Sequence, residues 1–264
     1  MPHSEFWTER TAAWYARAVA RSDFAPRVLA VIGPALDECK SALDVGAGCG
    51  ALALPLARRM GRVTAVEPSA AMAGALREAA ALAGLGRVTV IEAAWGEVPV
   101  EPHDLVVCAH VGGLLNADSP FLADAKRLAR RLVLLIRDAP RPEDQDKFFY
   151  RELYPALLGR PYEHRSHADE TLGGLRALGM EPRVTLVEYC SDQPFTDLDE
   201  ACDFWMTYMG LEGPGPRAYL ARFLKERLVS NGRELIAPFR KTAAVFVWSP
   251  AGAQESGGAA ARRT

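Results

Sequence analysis

Residues 43–57 read LDVGAGCGALALPLA and set Asp44 just ahead of three glycines, Gly46, Gly48 and Gly50. Glycine at that spacing permits a tight turn and lets a ligand lie directly on the backbone. With Ala51 as the last small position, Gly46-x-Gly48-x-x-Ala51 also satisfies the dinucleotide fingerprint, in which a helix N-terminus faces a pyrophosphate. Asp44 weighs against that ligand, because a carboxylate at the mouth of the loop repels a pyrophosphate and attracts a cation. The alternative for Asp44 is a turn carboxylate that binds loop amides. Glu67 ends RVTAVE about twenty residues further on, a position suited to hydrogen bonding both hydroxyls of a ribose.

These residues need a scaffold that brings strand ends together. SALDV (41–45), RVTAVE (62–67), RVTVIEA (87–93), HDLVVCA (103–109) and RLVLLIR (131–137) have the apolar continuity of strands buried on both faces. Helical patterns at 51–60, 70–85 and 120–131 lie between them, with the basic pairs Lys126-Arg127 and Arg130-Arg131 read as one solvated helix face. Strand and helix alternating in this way predict an α/β fold with a Rossmann-like, doubly wound, mostly parallel sheet. Residues 1–40 read as an N-terminal helical segment with Trp7, Trp14, Val28, Leu29 and Ile32 as its apolar spacing, broken at Gly33-Pro34. The core then runs over 41–138. The rhythm breaks at Pro140-Arg141-Pro142, so 139–182 reads as a helical cap insertion rich in Tyr and Phe, and 141–167 as part of a lid over the acceptor. Residues 183–249 hold two further strands, RVTLVEY and KTAAVFVWS, around a long helical region, of which about 192–238 would join the cap. The small, polar stretch 250–264 has no periodicity and reads as a disordered tail.

S-adenosylmethionine has no phosphate and carries an ammonium and a sulfonium, which suits Asp44. At these residues the chain resembles the class I S-adenosylmethionine-dependent methyltransferases. Asp44-x-Gly46-x-Gly48-x-Gly50, with Ala47 inside it, matches the first motif of that family, and Val66-Glu67-Pro68-Ser69 the second. The resemblance covers about 41–138 and implies a seven-stranded sheet whose last strand is antiparallel at the sheet edge. It also implies S-adenosylmethionine as cofactor and an in-line methyl transfer. Many members place an acid after the third strand to meet the adenine amino group, and this chain has Ala94 there. Trp95 could lie on the adenine instead, or Glu92 or Glu97 could supply the acid in a shifted register.

Ala109 and His110 follow the fourth strand, at the end of an open sheet where ligands bind. They are expected beside the cofactor, with His110 as a candidate general base and substrate shaping or a structural histidine as its alternatives. Arg137, with Asp138 beside it, would border the site and could meet a substrate carboxylate. Tyr150, Tyr154, His164 and Trp205 are candidate acceptor contacts from the cap, with local packing as the alternative for the aromatics. Cys49 reads as a small filler. His164 and His167 lie near the spacing of a metal pair without a third ligand, so no metal is expected.

Lys plus Arg number 31 against 33 Asp plus Glu, a net charge of −2 that provides no field for drawing in a polyanion. No Asn or Asp followed by Pro-Pro-Tyr or Phe is present, which further lowers base methylation of nucleic acid. Five scattered cysteines without zinc spacing, no secretory leader and no long apolar run point to a reduced, cytoplasmic protein away from membranes. The expected partner is a small-molecule methyl acceptor. An NAD(P)-dependent oxidoreductase and a non-catalytic S-adenosylmethionine-binding regulator remain as alternatives, and the oligomeric state is open.

Overall fold

The computed structural model describes residues 6–140, 145–163 and 166–250. Its strands are β1 (Ser41–Val45), β2 (Arg62–Val66), β3 (Val88–Ile91), β4 (His103–Ala109), β5 (Ala129–Asp138), β6 (Arg183–Cys190), β7 (Gln193–Phe195), β8 (Val229–Ser230), β9 (Leu235–Ala237) and β10 (Arg240–Trp248). The helices are α1 (Glu9–Arg21), α2 (Phe24–Ile32), α3 (Ala53–Ala57), α4 (Ala70–Leu82), α5 (Pro120–Leu128), α6 (Tyr150–Leu158), α7 (Ala168–Ala177), α8 (Leu198–Met209) and α9 (Pro214–Arg227). Seven strands make the main sheet in the order β3-β2-β1-β4-β5-β10-β6. β1 to β5 pair in parallel, and β10 runs antiparallel to both β5 and β6. This is the Rossmann-like fold of class I methyltransferases. Contrary to expectation, the antiparallel strand is not at the sheet edge. It is wedged between β5 and β6, and β6 forms the edge.

Side-chain alternation along the strands divides the interior into two layers. Ala42, Leu105, Leu134 and Val245 face Val28 and Ile32 of α2 and Leu56 of α3. Leu43, Val106, Val133 and Phe246 face Phe121 of α5 and Leu175 of α7. Burial of β1 at every residue explains why its sequence is continuous rather than alternating. The helices start where short polar side chains can cap them. Ser69 accepts from Met72 N at 3.3 Å, and Ser119 from Phe121 N at 3.3 Å with Pro120 next in line.

The interval 139–182, expected as one cap, divides. Phe148, Tyr150 and Leu153 pack with Phe195, Phe204, Trp205, Leu220 and Phe239 in a separate aromatic core, and Trp14 of α1 joins them. By contrast, α7 packs on the main sheet. Its Thr171 hydroxyl donates to Leu115 O at 2.6 Å, and its Gly174 touches the 116–119 turn so closely that an added Cβ would lie 2.6 Å from Ala117 Cα. Gly174→Ala is therefore expected to destabilise the protein by about 1–3 kcal/mol through overpacking against backbone. A melting temperature equal to the parent's would show that the turn yields freely.

Two further expectations change. Arg130 and Arg131 belong to the start of β5, not to a helix face. β7, β9 and β8 form a small antiparallel sheet inside the region expected to be helical. The expected tail lies beyond the described residues, apart from Pro250.

Candidate active site

Sheet geometry brings the carboxyl ends of β1, β4 and β5 side by side, with Val45 opposite Cys108 and Ala109 opposite Ile136. The amides of Gly46 and Ala47 both donate to Val66 O, at 2.8 and 3.1 Å, which fixes the turn leaving β1. Gly46 has φ 72° and lies against the segment after β4, where an added Cβ would meet Val111 Cγ2 at 2.2 Å. Gly48 (φ 54°) is open apart from the Tyr15 ring of α1, whereas Gly50 presses on Leu54 and Leu76. Gly48 is thus the open glycine of the loop, and Gly46 and Gly50 serve its packing. Cys49 is buried and its thiol is pushed up to about 12 by desolvation, which makes it inert filler.

Asp44 is 2% exposed, and its Oδ2 has no hydrogen-bond partner among the described residues. Burial pushes its carboxyl up to about 7, with the Ala53 amide working against the rise and Glu67 adding to it. Glu67 instead performs the loop-tying task considered for Asp44. One oxygen accepts from Gly48 N and the other from Ser69 N, both at 2.9 Å. Burial raises Glu67 as well, partly offset by those two amides. Each of its oxygens has one bond and can accept another. Tyr15 and Trp7, packed on the loop and on Met72 of α4, roof this corner. Pro68 is exposed and Ala109 is half-buried against the core.

Beyond β3, Ala94 N donates to Glu97 Oε2 at 2.7 Å, and Glu92 pairs with Arg77 at 2.8 Å. Both candidate acids therefore already have local partners. Trp95 lies edge-on to Phe121 and donates to Asp124 Oδ2 at 3.2 Å.

His110 has a left-handed backbone, φ 59°, anchored by its amide on Ile136 O at 2.9 Å. Its Nδ1 lies 2.9 Å from Asp138 Oδ1, and the same oxygen meets Lys241 Nζ at 2.9 Å. Its Nε2 lies 3.2 Å from the Tyr189 hydroxyl. Burial, then the Lys241 charge, lowers the imidazole below its ordinary 6.5 despite Asp138. Burial alone would raise Asp138, but Lys241 and His110 together hold it well below the usual carboxylate range.

Several cap and border candidates have other duties. Arg137 points to the opposite face from Asp138 and donates to Gly112 O at 2.7 Å and Asn116 Oδ1 at 2.9 Å, so it clamps the loop after β4 rather than facing a substrate carboxylate. Trp205 is fully buried and donates to Phe148 O at 2.8 Å, and Tyr150 is buried against Tyr154 and Tyr162, so all belong to the aromatic core. His164 lies outside the described residues. His167 is exposed beside Glu170. The cavity of about 480 Å³ along Arg77, Ala81, Leu85 and Val90 belongs to the β3 edge, at the far end of α4 from Ser69. Sequence reasoning missed Tyr15, Tyr189 and Lys241. Two of them carried a signal, since Tyr189 continues the inward parity of Val187, and Lys241 that of Ala243 and Val245.

Residues 42–131 match the sequence profile of the family described as "Methyltransferase domain". This stretch, about a third of the chain, is similar to methyltransferase domains. A Bacillus halodurans C-125 protein classed as a methyltransferase superposes with a TM-score of 0.52 at 17% identity, covering 86% of this chain and 98% of that one. An S-adenosylmethionine-dependent methyltransferase from Aquifex aeolicus gives 0.49 at 18% identity, covering 90% and 98%. Magnesium protoporphyrin IX methyltransferase of Synechocystis PCC 6803 gives 0.44 at 17%, covering 84% and 79%. At such identities the likeness concerns fold alone. No curated protein matches the chain. No helix among the described residues is long and apolar enough to cross a membrane.

Proposed function

We propose that this chain is an S-adenosylmethionine-dependent methyltransferase acting on a small-molecule acceptor. The observation that carries the reading is the buried Asp44 oxygen, at the glycine loop, that has no hydrogen-bond partner among the described residues. A buried carboxylate in that state is costly alone and favourable beside a cation. The amino-acid ammonium of the cofactor is such a cation, and a pyrophosphate is the opposite. Glu67 also fits, since it can take two ribose hydroxyls without releasing Gly48 or Ser69. Gly48 leaves backbone open for the methionine portion, with the Tyr15 ring beside it to limit water.

When bound, the cofactor supplies a methyl carbon on a sulfonium leaving group. This chain's residues have the remaining tasks, which are to hold both reactants in line and to keep water out. The acceptor is read as a small molecule because the balanced net charge gives a polyanion little attraction.

Titration calorimetry is expected to show micromolar binding of S-adenosylhomocysteine and no comparable response to NADH. Tight NADH binding with silence toward both sulfur compounds would end this reading.

A further inference from the structure

Three strands deliver polar side chains to one place on the sheet face that also carries the α2 layer. Asp138 ends β5, Tyr189 nears the end of β6, and Lys241 opens β10 directly opposite Tyr189 in the ladder. Just inside them the same side-chain rows are apolar, with Ile136, Val187 and Ala243 all buried. The polar cluster therefore begins where the core stops, beside the segment whose Val111 touches the Gly46 turn. His110 sits at its centre with a backbone angle that few non-glycine residues adopt, and such strain persists where the surroundings enforce it, often at functional sites. Its side chain is 20% exposed, so a ligand can reach it.

The arrangement defines an acid–base polarity. Asp138 faces Nδ1, so a proton there is held against a carboxylate, and the lone pair of Nε2 is left to accept. The Tyr189 hydroxyl lies 3.2 Å from Nε2, and an acceptor hydroxyl must take its place for the proton to pass. The other charged or titratable groups near His110 are Lys241 on β10, Arg137 on β5 and Tyr15 on α1, while α2 contributes the apolar Phe24 ring, 5.5 Å from the imidazole. Asp138 and Lys241 cancel as a pair, so the cluster has no net charge while His110 is neutral. It is therefore suited to an uncharged acceptor that must lose a proton.

Resting on the cofactor reading above, we propose that His110 is the general base of a hydroxyl-directed methyl transfer, positioned by Asp138 and Lys241, with phenol-type or enol-type hydroxyls as the acceptor class. Amines attack as neutral molecules and shed their proton afterwards. Thiols, near 8.5, ionise readily without help. A hydroxyl near 10 or above is the nucleophile that gains most from a fixed base. In the step, the O–H bond breaks and its proton goes to Nε2. An oxygen lone pair forms the new O–CH₃ bond as the C–S bond breaks, and the pair of the broken C–S bond stays on sulfur as the thioether. The imidazolium, balanced by Asp138, then releases its proton to solvent.

Three measurements test this on the whole chain. Calorimetry with S-adenosylhomocysteine should give equal affinities for the parent and His110→Gln. No binding to either overturns the cofactor reading and this inference with it, whereas binding to both isolates the base question. NMR titration of the ligand-free protein should place the His110 imidazole below 6.5, shift it upward in Lys241→Met, and shift it further down in Asp138→Asn. An imidazole indifferent to both substitutions overturns the positioning. Finally, 4-methoxyphenol, whose hydroxyl stays at about 10, is offered with S-adenosylmethionine beside 4-methoxyaniline and 4-methoxythiophenol. The phenol should be methylated, with a rate that rises with pH to a plateau, falls ~10²–10⁴-fold in His110→Gln and recovers partly when imidazole is added to His110→Gly. Failure of the phenol to react, or an unchanged pH profile in His110→Gln, overturns the assignment.

Discussion

Asp44→Asn is expected to remove most of the affinity for S-adenosylhomocysteine while making the ligand-free protein more heat-stable. Both effects follow from one buried charge. Burial moves this carboxyl from 3.8 to about 7, so between those values the folded protein holds a proton that the unfolded chain has released. Stability therefore declines as pH rises through that window, by the linkage between proton binding and folding. Asparagine has nothing to ionise, can still accept from the Ala53 amide, and should stabilise the empty protein by roughly 2–4 kcal/mol at pH 8. Toward the ligand the sign reverses. Removing one partner of a desolvated charge pair costs about 2–5 kcal/mol, or roughly 30-fold to several thousand-fold in affinity. Adenosine lacks the amino acid and should bind parent and variant alike. In the parent, S-adenosylhomocysteine should also bind about tenfold more weakly for each pH unit below ~7, because the carboxyl must first ionise. The variant should lose that slope. Calorimetry with both ligands, together with thermal scans at pH 5 and pH 8, provides the check. Equal losses for adenosine would mean that Asp44 acts through loop structure, and the preference for a cation over a pyrophosphate would fall.

Glu67 should behave differently, because its carboxylate ties the loop and, in the proposed cofactor site, would also take the ribose. Glu67→Ala leaves the amides of Gly48 and Ser69 without their acceptor, and Ser69 caps α4. Loss of stability by about 1–3 kcal/mol is expected for the orphaned amides, with a further 1.5–3 kcal/mol lost in cofactor binding. Glu67→Gln keeps one acceptor oxygen, but its NH₂ must oppose an N–H, so its stability should fall between parent and alanine. A comparison of adenosine with 2′-deoxyadenosine separates the two duties. The parent should prefer adenosine, and Glu67→Ala should lose the preference. If Glu67→Ala melts lower yet still discriminates between the two nucleosides, Glu67 is a loop tie only and another group reads the ribose.

The parallel core was legible because its strands are short, apolar and separated by helical spacing, and β1, β4 and β10 fall within a residue of their expected bounds. Glycine spacing and a strand-end acid likewise marked the corner where the loop after β1 meets the end of β2. What escaped were facts of pairing. Nothing local to KTAAVFVWS says that it enters between β5 and β6, so the meeting of Lys241 with Asp138 and His110 could not be read from any single segment. Arg137 and Asp138 looked equivalent in sequence, and strand alternation sent them to opposite faces. Trp205 and Tyr150 were ambiguous because the same aromatic residues line pockets and fill cores, and here they fill a core. Asp44 and Glu67 exchanged one expected task, since both are acids at strand ends and the loop's curvature decides which of them reaches Gly48.

The position of β10 also bears on how the chain comes to be made. β5 ends at Asp138 and its antiparallel neighbour starts at Arg240, about a hundred residues later. During synthesis β5 is therefore an open, apolar edge for most of that interval, the condition under which strands pair with the wrong partner. β6 cannot relieve it, because its partner in the sheet is β10, not β5. A chain halted before residue 240 loses two strands from the sheet rather than one. Lys241 arrives on the same segment, so the residue that sets the poise of His110 reaches its place only with the strand that closes the sheet. A nascent or truncated chain can carry a complete glycine loop and still lack a composed reaction centre, which ties competence for chemistry to completion of folding.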